Sequence, residues 1–149
     1  MNKVDFKNIY VGHLIHQVVL EKDVDIDRIC KFFKCSEQQI EKMYKEKSLD
    51  AKIILCWSKL LQYDFFRIYS HHLILYAPPS RDSNNESKAN TTIPQFRKNI
   101  YTRQLIEFVL ELINTDKKTK NQIIEEYRIP KTTLYKWINK YNHRDNELI

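Results

Sequence analysis

Apolar residues recur at helical spacing along most of this 149-residue chain, and two distant stretches repeat one arrangement of them. Ile29, Phe33, Cys35, Ile40 and Met43 are matched by Ile123, Tyr127, Ile129, Leu134 and Trp137, each pair 94 positions apart. Within each set a short helical stripe stops, a few residues turn the chain, and a second stripe begins. Two short helices meeting at a fixed angle need this layout, because the apolar residues on either side of the turn bury one another. The alternation of a strand is missing outside one short stretch with Pro and Ser, and the chain holds a single glycine, so the fold is expected to be all-α.

Five helices are predicted in residues 1–77. The first covers about 8–22, with Val11, Leu14, Ile15, Val18 and Val19 on its apolar face. Asp25 is placed to cap a second helix carrying Ile26, Ile29, Cys30 and Phe33, which ends at a turn of Lys34 and Cys35. Ser36 opens the third helix, and Gln39 three positions on completes a capping box that satisfies two otherwise free amides. Asp50 heads a fourth with Ile53, Ile54, Trp57, Leu60 and Leu61 inward, and Asp64 a short fifth bearing Phe65, Phe66, Ile68 and Tyr69. After Leu73, Ile74, Leu75 and Tyr76 the composition changes to Pro78-Pro79-Ser80-Arg81-Asp82-Ser83-Asn84-Asn85 and stays polar to Gln95. Too few apolar groups remain there to offset the entropy of ordering the backbone, so 78–98 is predicted to be a flexible linker. About 18 such residues span roughly 23 Å on average and about 60 Å when taut.

Residues 99–149 are predicted to add three helices. The first covers about 102–113, with Leu105, Ile106, Val109, Leu110 and Ile113 inward. A second capping box, Thr119 with Gln122, starts a helix carrying Ile123, Ile124 and Tyr127. Beyond a turn of Arg128, Ile129 and Pro130, the last helix carries Leu134, Trp137, Ile138 and Tyr141, with the first three inward. About 45 residues make a marginal core.

The net charge of +6 and a pI near 9.1 permit a polyanionic partner, and residues 1–77, 78–98 and 99–149 each carry +2 of it. No segment is a strongly basic tail, so cations would have to gather on one face of each unit. With Ile40 and Met43 inward, the third helix presents Glu37, Gln38, Gln39, Glu41, Lys42 and Lys45, with Lys47 just beyond. Gln makes a two-pronged contact to adenine and Lys serves guanine or phosphate, so Gln38 and Gln39 are the candidate base readers. The amides around Ser36 are placed to hold a phosphate. On the last helix, Lys131, Thr132, Thr133, Tyr135, Lys136, Asn139 and Lys140 face outward with no acid among them. Thr132, Thr133 and Tyr135 are candidates for base edges or thymine methyls, and Lys131, Lys136 and Lys140 for phosphates, with Lys117, Lys118 and Lys120 extending a basic rim. Either face alone would read as a solvated helix surface; its place after the turn is what marks it, because the second helix of a helix-turn-helix is the usual probe of a DNA major groove.

Residues Asp25 to Lys47, the 53–61 helix and Asp64-Phe65-Phe66 resemble the phage repressor and Cro (XRE-like) helix-turn-helix family over roughly the first 70 residues. The resemblance implies a five-helix domain, often dimeric, whose third helix reads operator DNA, with Ser36, Glu37, Gln38, Gln39 and Lys42 on the reading helix. The stretch Tyr127-Arg128-Ile129-Pro130-Lys131-Thr132-Thr133-Leu134-Tyr135-Lys136-Trp137 is similar to the homeodomain-like helix-turn-helix at the front of insertion-element transposases. Both halves depart from those patterns at one place. The turn position that usually holds Gly is Lys34 or Arg128, where a left-handed backbone should cost about 1 kcal/mol. The usual small Ala of the middle helix is Cys30 or Ile124.

Cys30 and Cys35 with His71 and His72, or His13 with His16, lack the paired short spacings of a zinc module, so no metal site and no cofactor are expected. There is no glycine-rich phosphate loop, nucleophile motif or acid–base pair, and no room for a transposase's catalytic domain, so the chain is not expected to be an enzyme. The three cysteines read as small buried hydrophobes. No apolar run approaches the roughly 18 residues that span a bilayer, and the start of the chain lacks a signal peptide's apolar core; a cytoplasmic, nucleoid-associated location without membrane contact is expected. The function expected is sequence-specific binding of double-stranded DNA by a transcriptional regulator, as a homodimer joined through the first domain beside its apolar Leu73 to Tyr76 segment. Two other functions fit the same residues: a DNA-targeting accessory subunit working with a separate transposase subunit, and a protein- or RNA-binding adaptor.

Overall fold

The computed structural model describes residues 5–78, 92–94 and 100–142, and every regular element among them is an α-helix. In chain order these are α1 (Val11–Glu21), α2 (Ile26–Phe33), α3 (Glu37–Lys45), α4 (Ala51–Leu61), α5 (Phe66–Tyr76), α6 (Arg103–Asn114), α7 (Lys120–Glu126) and α8 (Lys131–Asn142). Two compact units divide the chain, Met1–His72 and Leu73–Ile149, and the division falls within α5. The predicted linker at 78–98 lies outside the described residues apart from 78 and 92–94.

In the first unit the core gathers around Trp57 and Phe65, with Ile15, Ile29, Ile40 and Leu61 fully enclosed. α3 packs chiefly on α1, and the single glycine explains how. The Val11 and Gly12 amides, free at the start of α1, donate to Lys47 O and Glu46 O at 3.2 Å, just past the end of α3. A Cβ on Gly12 would lie 2.6 Å from Glu46 O and 2.9 Å from Tyr44 O, and nearer still to Met43 O, so only glycine admits the approach. Gly12 therefore takes a buried place on α1 that the hydrophobic pattern assigned to Leu14, which is half-buried. The same docking turns Tyr44 inward in place of Met43: its ring stacks on His16 at 4.4 Å and tilts against Trp57 at 5.8 Å. Burial, with Glu41 nearby, pushes the Tyr44 hydroxyl up to about 12.

The caps follow the sequence closely, with one exception. Ser36 and Gln39 form the capping box, and Asp50 accepts from the Lys52 amide at 2.8 Å. Asp64 accepts from the Arg67 amide at 3.2 Å. Asp25 occupies the cap position of α2 but its side chain makes no cap hydrogen bond. α5 is longer than the short helix predicted: it continues to Tyr76, burying Ile68, His71, Ile74 and Leu75. This changes the reading of residues 73–76, because Ile74 and Leu75 are enclosed while Leu73 remains 59% exposed, so the segment is not the continuous free apolar surface that motivated a homodimer. His71 meets the Phe6 ring edge-on at 5.2 Å, and burial, reinforced by Arg67, holds its imidazole below the ordinary 6.5 against a smaller opposing effect of Asp64. Cys30, Cys35 and Cys56 are half-buried rather than enclosed: α2 offers one fully buried position, Ile29, and on α4 the buried positions go to Ile54, Trp57 and Leu61, which leaves Cys56 at the flank.

In the second unit, α6 begins at Thr102, whose hydroxyl accepts from the Leu105 amide, and it buries Leu105, Ile106, Val109 and Leu110. The box of Thr119 and Gln122 opens α7. Every residue of the repeated stripe in this unit is buried: Ile123, Tyr127, Ile129, Leu134 and Trp137. Trp137 also meets Tyr101 edge-to-face at 4.9 Å.

Candidate nucleic-acid interface

The two turns carry the same backbone device in the same register. α2 ends on Lys34, at φ 54° and ψ 43°, and α7 is followed by Arg128, at φ 55°, again 94 positions on. Both are left-handed residues bearing a Cβ, which is the strain expected where glycine is absent, about 1 kcal/mol each. Past the first turn the Cys35 amide bonds to Cys30 O at 3.2 Å; past the second, Pro130 O accepts the Thr133 and Leu134 amides at 2.9 and 3.0 Å to start α8. Each turn thereby sets a second helix with one apolar face inward and its polar face outward.

On α3 the outward side chains are those the spacing selected: Glu37, Gln38, Gln39, Lys42 and Lys45 are exposed, together with Ser36 before the helix and Lys47 after it. Glu37, Gln38, Glu41, Lys42 and Lys45 line a shallow hollow of 490 Å³. The capping box separates the two glutamines. Gln39 Oε1 accepts from the Ser36 amide at 2.9 Å, so half of its donor–acceptor pair is already engaged, whereas the Gln38 side chain has no hydrogen-bond partner among the described residues. Lys47 Nζ sits 5.1 Å from the centre of the Tyr10 ring, a contact no spacing rule would have found. With Glu37 and Glu41 among the lysines, this face is electrostatically mixed.

On α8, Lys131, Thr132, Tyr135, Lys136, Asn139 and Lys140 are exposed and Thr133 is half-buried. Thr133 is therefore less available to a groove than its neighbour Thr132. No acid lies on this face, and Lys140 Nζ rests 5.6 Å from the Tyr141 ring. At the start of α7, Lys118 is tied to Glu126 by a short ion pair and lies over Tyr127 at 5.5 Å. Lys120 turns instead to Tyr135, 5.5 Å from its ring, and Lys131 approaches the same ring at 5.7 Å. The Lys131–Tyr135 contact is a helical i, i+4 neighbour pair visible in the sequence; the Lys120 contact joins two helices and is not. The α3 and α8 residues lie in different units, each set gathered on a single helix face.

The histidines and cysteines considered as metal ligands do not assemble a site: no group of three His, Cys, Asp or Glu close enough to hold an ion occurs among the described residues. No helix among them is long and apolar enough to cross a membrane. No protein-family model, curated protein or solved structure matches this chain.

Proposed function

We propose that this chain is a sequence-specific double-stranded DNA-binding protein, a transcriptional regulator that reads DNA with α3 and α8. In this reading residues 1–77 form a repressor-like helix-turn-helix domain and residues 99–149 a homeodomain-like one. The observation that carries it is the recurrence of a turn-linked helix pair in matching register 94 positions apart, each turn followed by a helix whose polar face is solvent-exposed. Left-handed residues also follow α1, α4 and α6, at Asp23, Gln62 and Asp116, so the exposed helix after the turn, and not the φ of Lys34 or Arg128 alone, marks the two pairs. A short turn that sets an exposed polar helix at an angle to its partner helix is the arrangement in which a second helix enters the major groove. α8, with three lysines and no acid, supports phosphate contact, and α3, with Gln38 unengaged, supports base reading.

The test is titration of the full chain into duplexes selected from a random pool, repeated at several salt concentrations. Three phosphate contacts from α8 predict that log affinity falls against log salt with a slope of about −2.7 or steeper. Lys136→Ala weakens all sequences alike and makes the slope shallower by about 0.9, whereas Gln38→Ala mainly erodes preference among sequences. Absent or salt-independent duplex binding overturns the proposal. The mixed charge on α3 favours one other reading, a protein-binding adaptor using Glu37, Glu41, Lys42 and Lys45, and salt-independent capture of a protein with no duplex affinity would establish it instead.

A further inference from the structure

Tyr135 is the one exposed aromatic of α8 that two cations share. Its ring is 39% exposed, yet Lys120 Nζ, from the first residue of α7, and Lys131 Nζ, from the first residue of α8, both lie within 6 Å of its centre. Neither ammonium is within ion-pair distance of a carboxylate among the described residues, in contrast to Lys118, which Glu126 holds. A lysine ordinarily spends several rotatable bonds of freedom when it settles on a phosphate, and a ring that already holds the ammonium removes part of that cost. Tyr135 also borders an open hollow of 440 Å³ whose wall includes Lys120, Lys118, Thr119 and Asn121 together with Ile113 and the single acid Asp116, so the Lys120 ammonium stands at the edge of a concave surface of mixed polarity.

From this arrangement we infer that Tyr135 is a positioning residue: its ring is a shelf that holds Lys120 and Lys131 for the phosphate backbone of the duplex, and its hydroxyl does not read a base edge. The inference rests on the DNA-binding reading and reverses the role that the sequence alone gave Tyr135. It also brings Lys120, otherwise a member of a diffuse basic rim, into the set of specific phosphate contacts.

The experiment compares Tyr135→Phe, which keeps the ring and removes the hydroxyl, with Tyr135→Leu, which keeps apolar bulk and removes the ring face. Duplex affinity, its salt slope and base preference are measured for the full chain, and the side-chain methylene shifts of Lys120 and Lys131 are followed by NMR without DNA. Tyr135→Phe is expected to match the unchanged chain in all four, retaining the upfield ring-current shifts. Tyr135→Leu is expected to lose those shifts, weaken all sequences alike by about fivefold and give a shallower slope. Lys120→Ala is expected to cause a similar loss that does not add to that of Tyr135→Leu. A loss of base preference in Tyr135→Phe, or unchanged affinity in Tyr135→Leu and Lys120→Ala, overturns the shelf while leaving DNA binding intact. Duplex binding absent from the unchanged chain overturns the DNA reading itself, and ordinary methylene shifts in that chain overturn the shelf without reference to DNA.

Discussion

The two turn-linked helix pairs share a hydrophobic spacing and a left-handed turn, but they bury that spacing differently. In the second unit all five repeated residues, from Ile123 to Trp137, are enclosed. In the first, Ile29 and Ile40 are enclosed while Phe33, Cys35 and Met43 are half-buried. The difference lies in what surrounds each pair. The first unit brings α1, α4 and the start of α5 to its core, so Trp57, Phe65 and Ile15 supply the mass that the pair does not. The second has α6 and the end of α5 beside the pair, burying Ile74, Leu75, Leu105, Ile106, Val109 and Leu110, and the pair's five residues supply nearly half of the core. A shared pattern thus marks a shared backbone geometry without assigning equal energetic weight to its members. The polar faces differ in a parallel way: the one on α3 mixes acids with lysines, and the one on α8 is purely cationic and hydrogen-bonding.

That contrast makes equivalent positions unequal under substitution. Trp137→Ala is expected to destabilise the second unit by about 4 kcal/mol, while Met43→Ala, at the same register position, costs the first about 1 kcal/mol. Equal losses in denaturant melts that follow each unit separately would abolish the distinction. Next in size is Gly12→Ala, expected to cost about 3 kcal/mol because the new methyl meets backbone oxygens of α3 that cannot rotate away. Its effect on hydrogen exchange is confined to the first unit, and protection of α1 amides at normal levels would show that the helices can separate without loss.

A smaller effect comes from His71, which also belongs to the first unit. Its folded imidazole titrates below 6.5, so between that folded value and 6.5 the unfolded chain binds more protons. Stability present at neutral pH is therefore lost as pH falls below about 6.5, and His71→Leu flattens this dependence; a parallel acid profile for the variant would contradict it. The smallest changes are those that the two units should share. Lys34→Gly and Arg128→Gly each relieve a left-handed backbone and raise stability by about 1 kcal/mol, read as a rise in melting temperature of the respective unit. A gain in only one would mean that the two turns are not equivalent.

Much of the local structure was legible from neighbours in sequence. Both capping boxes and the Asp50 cap follow from groups within four residues of one another, and such interactions act before any core exists, while the left-handed turn at Lys34 was expected only through the family resemblance, whose pattern places glycine there. The exposed candidates on α3 and α8 were likewise readable, because a helix that buries one stripe must present the other. Asp25 shows the limit even here, since its residue type and position favour a cap that its side chain does not make.

Contacts between helices required the folded molecule. Which of Met43 and Tyr44 turns inward depends on where α1 meets α3, and that depends on the missing side chain at Gly12. The continuation of α5 through Leu75 depends on whether apolar partners are present to cover it, and the meeting of Lys120 with Tyr135 on how α7 and α8 are set by the Arg128 turn. Periodicity along a chain specifies which residues share a face; it carries no information about the rotation and approach of one helix on another, which are settled by the steric fit of side chains far apart in sequence.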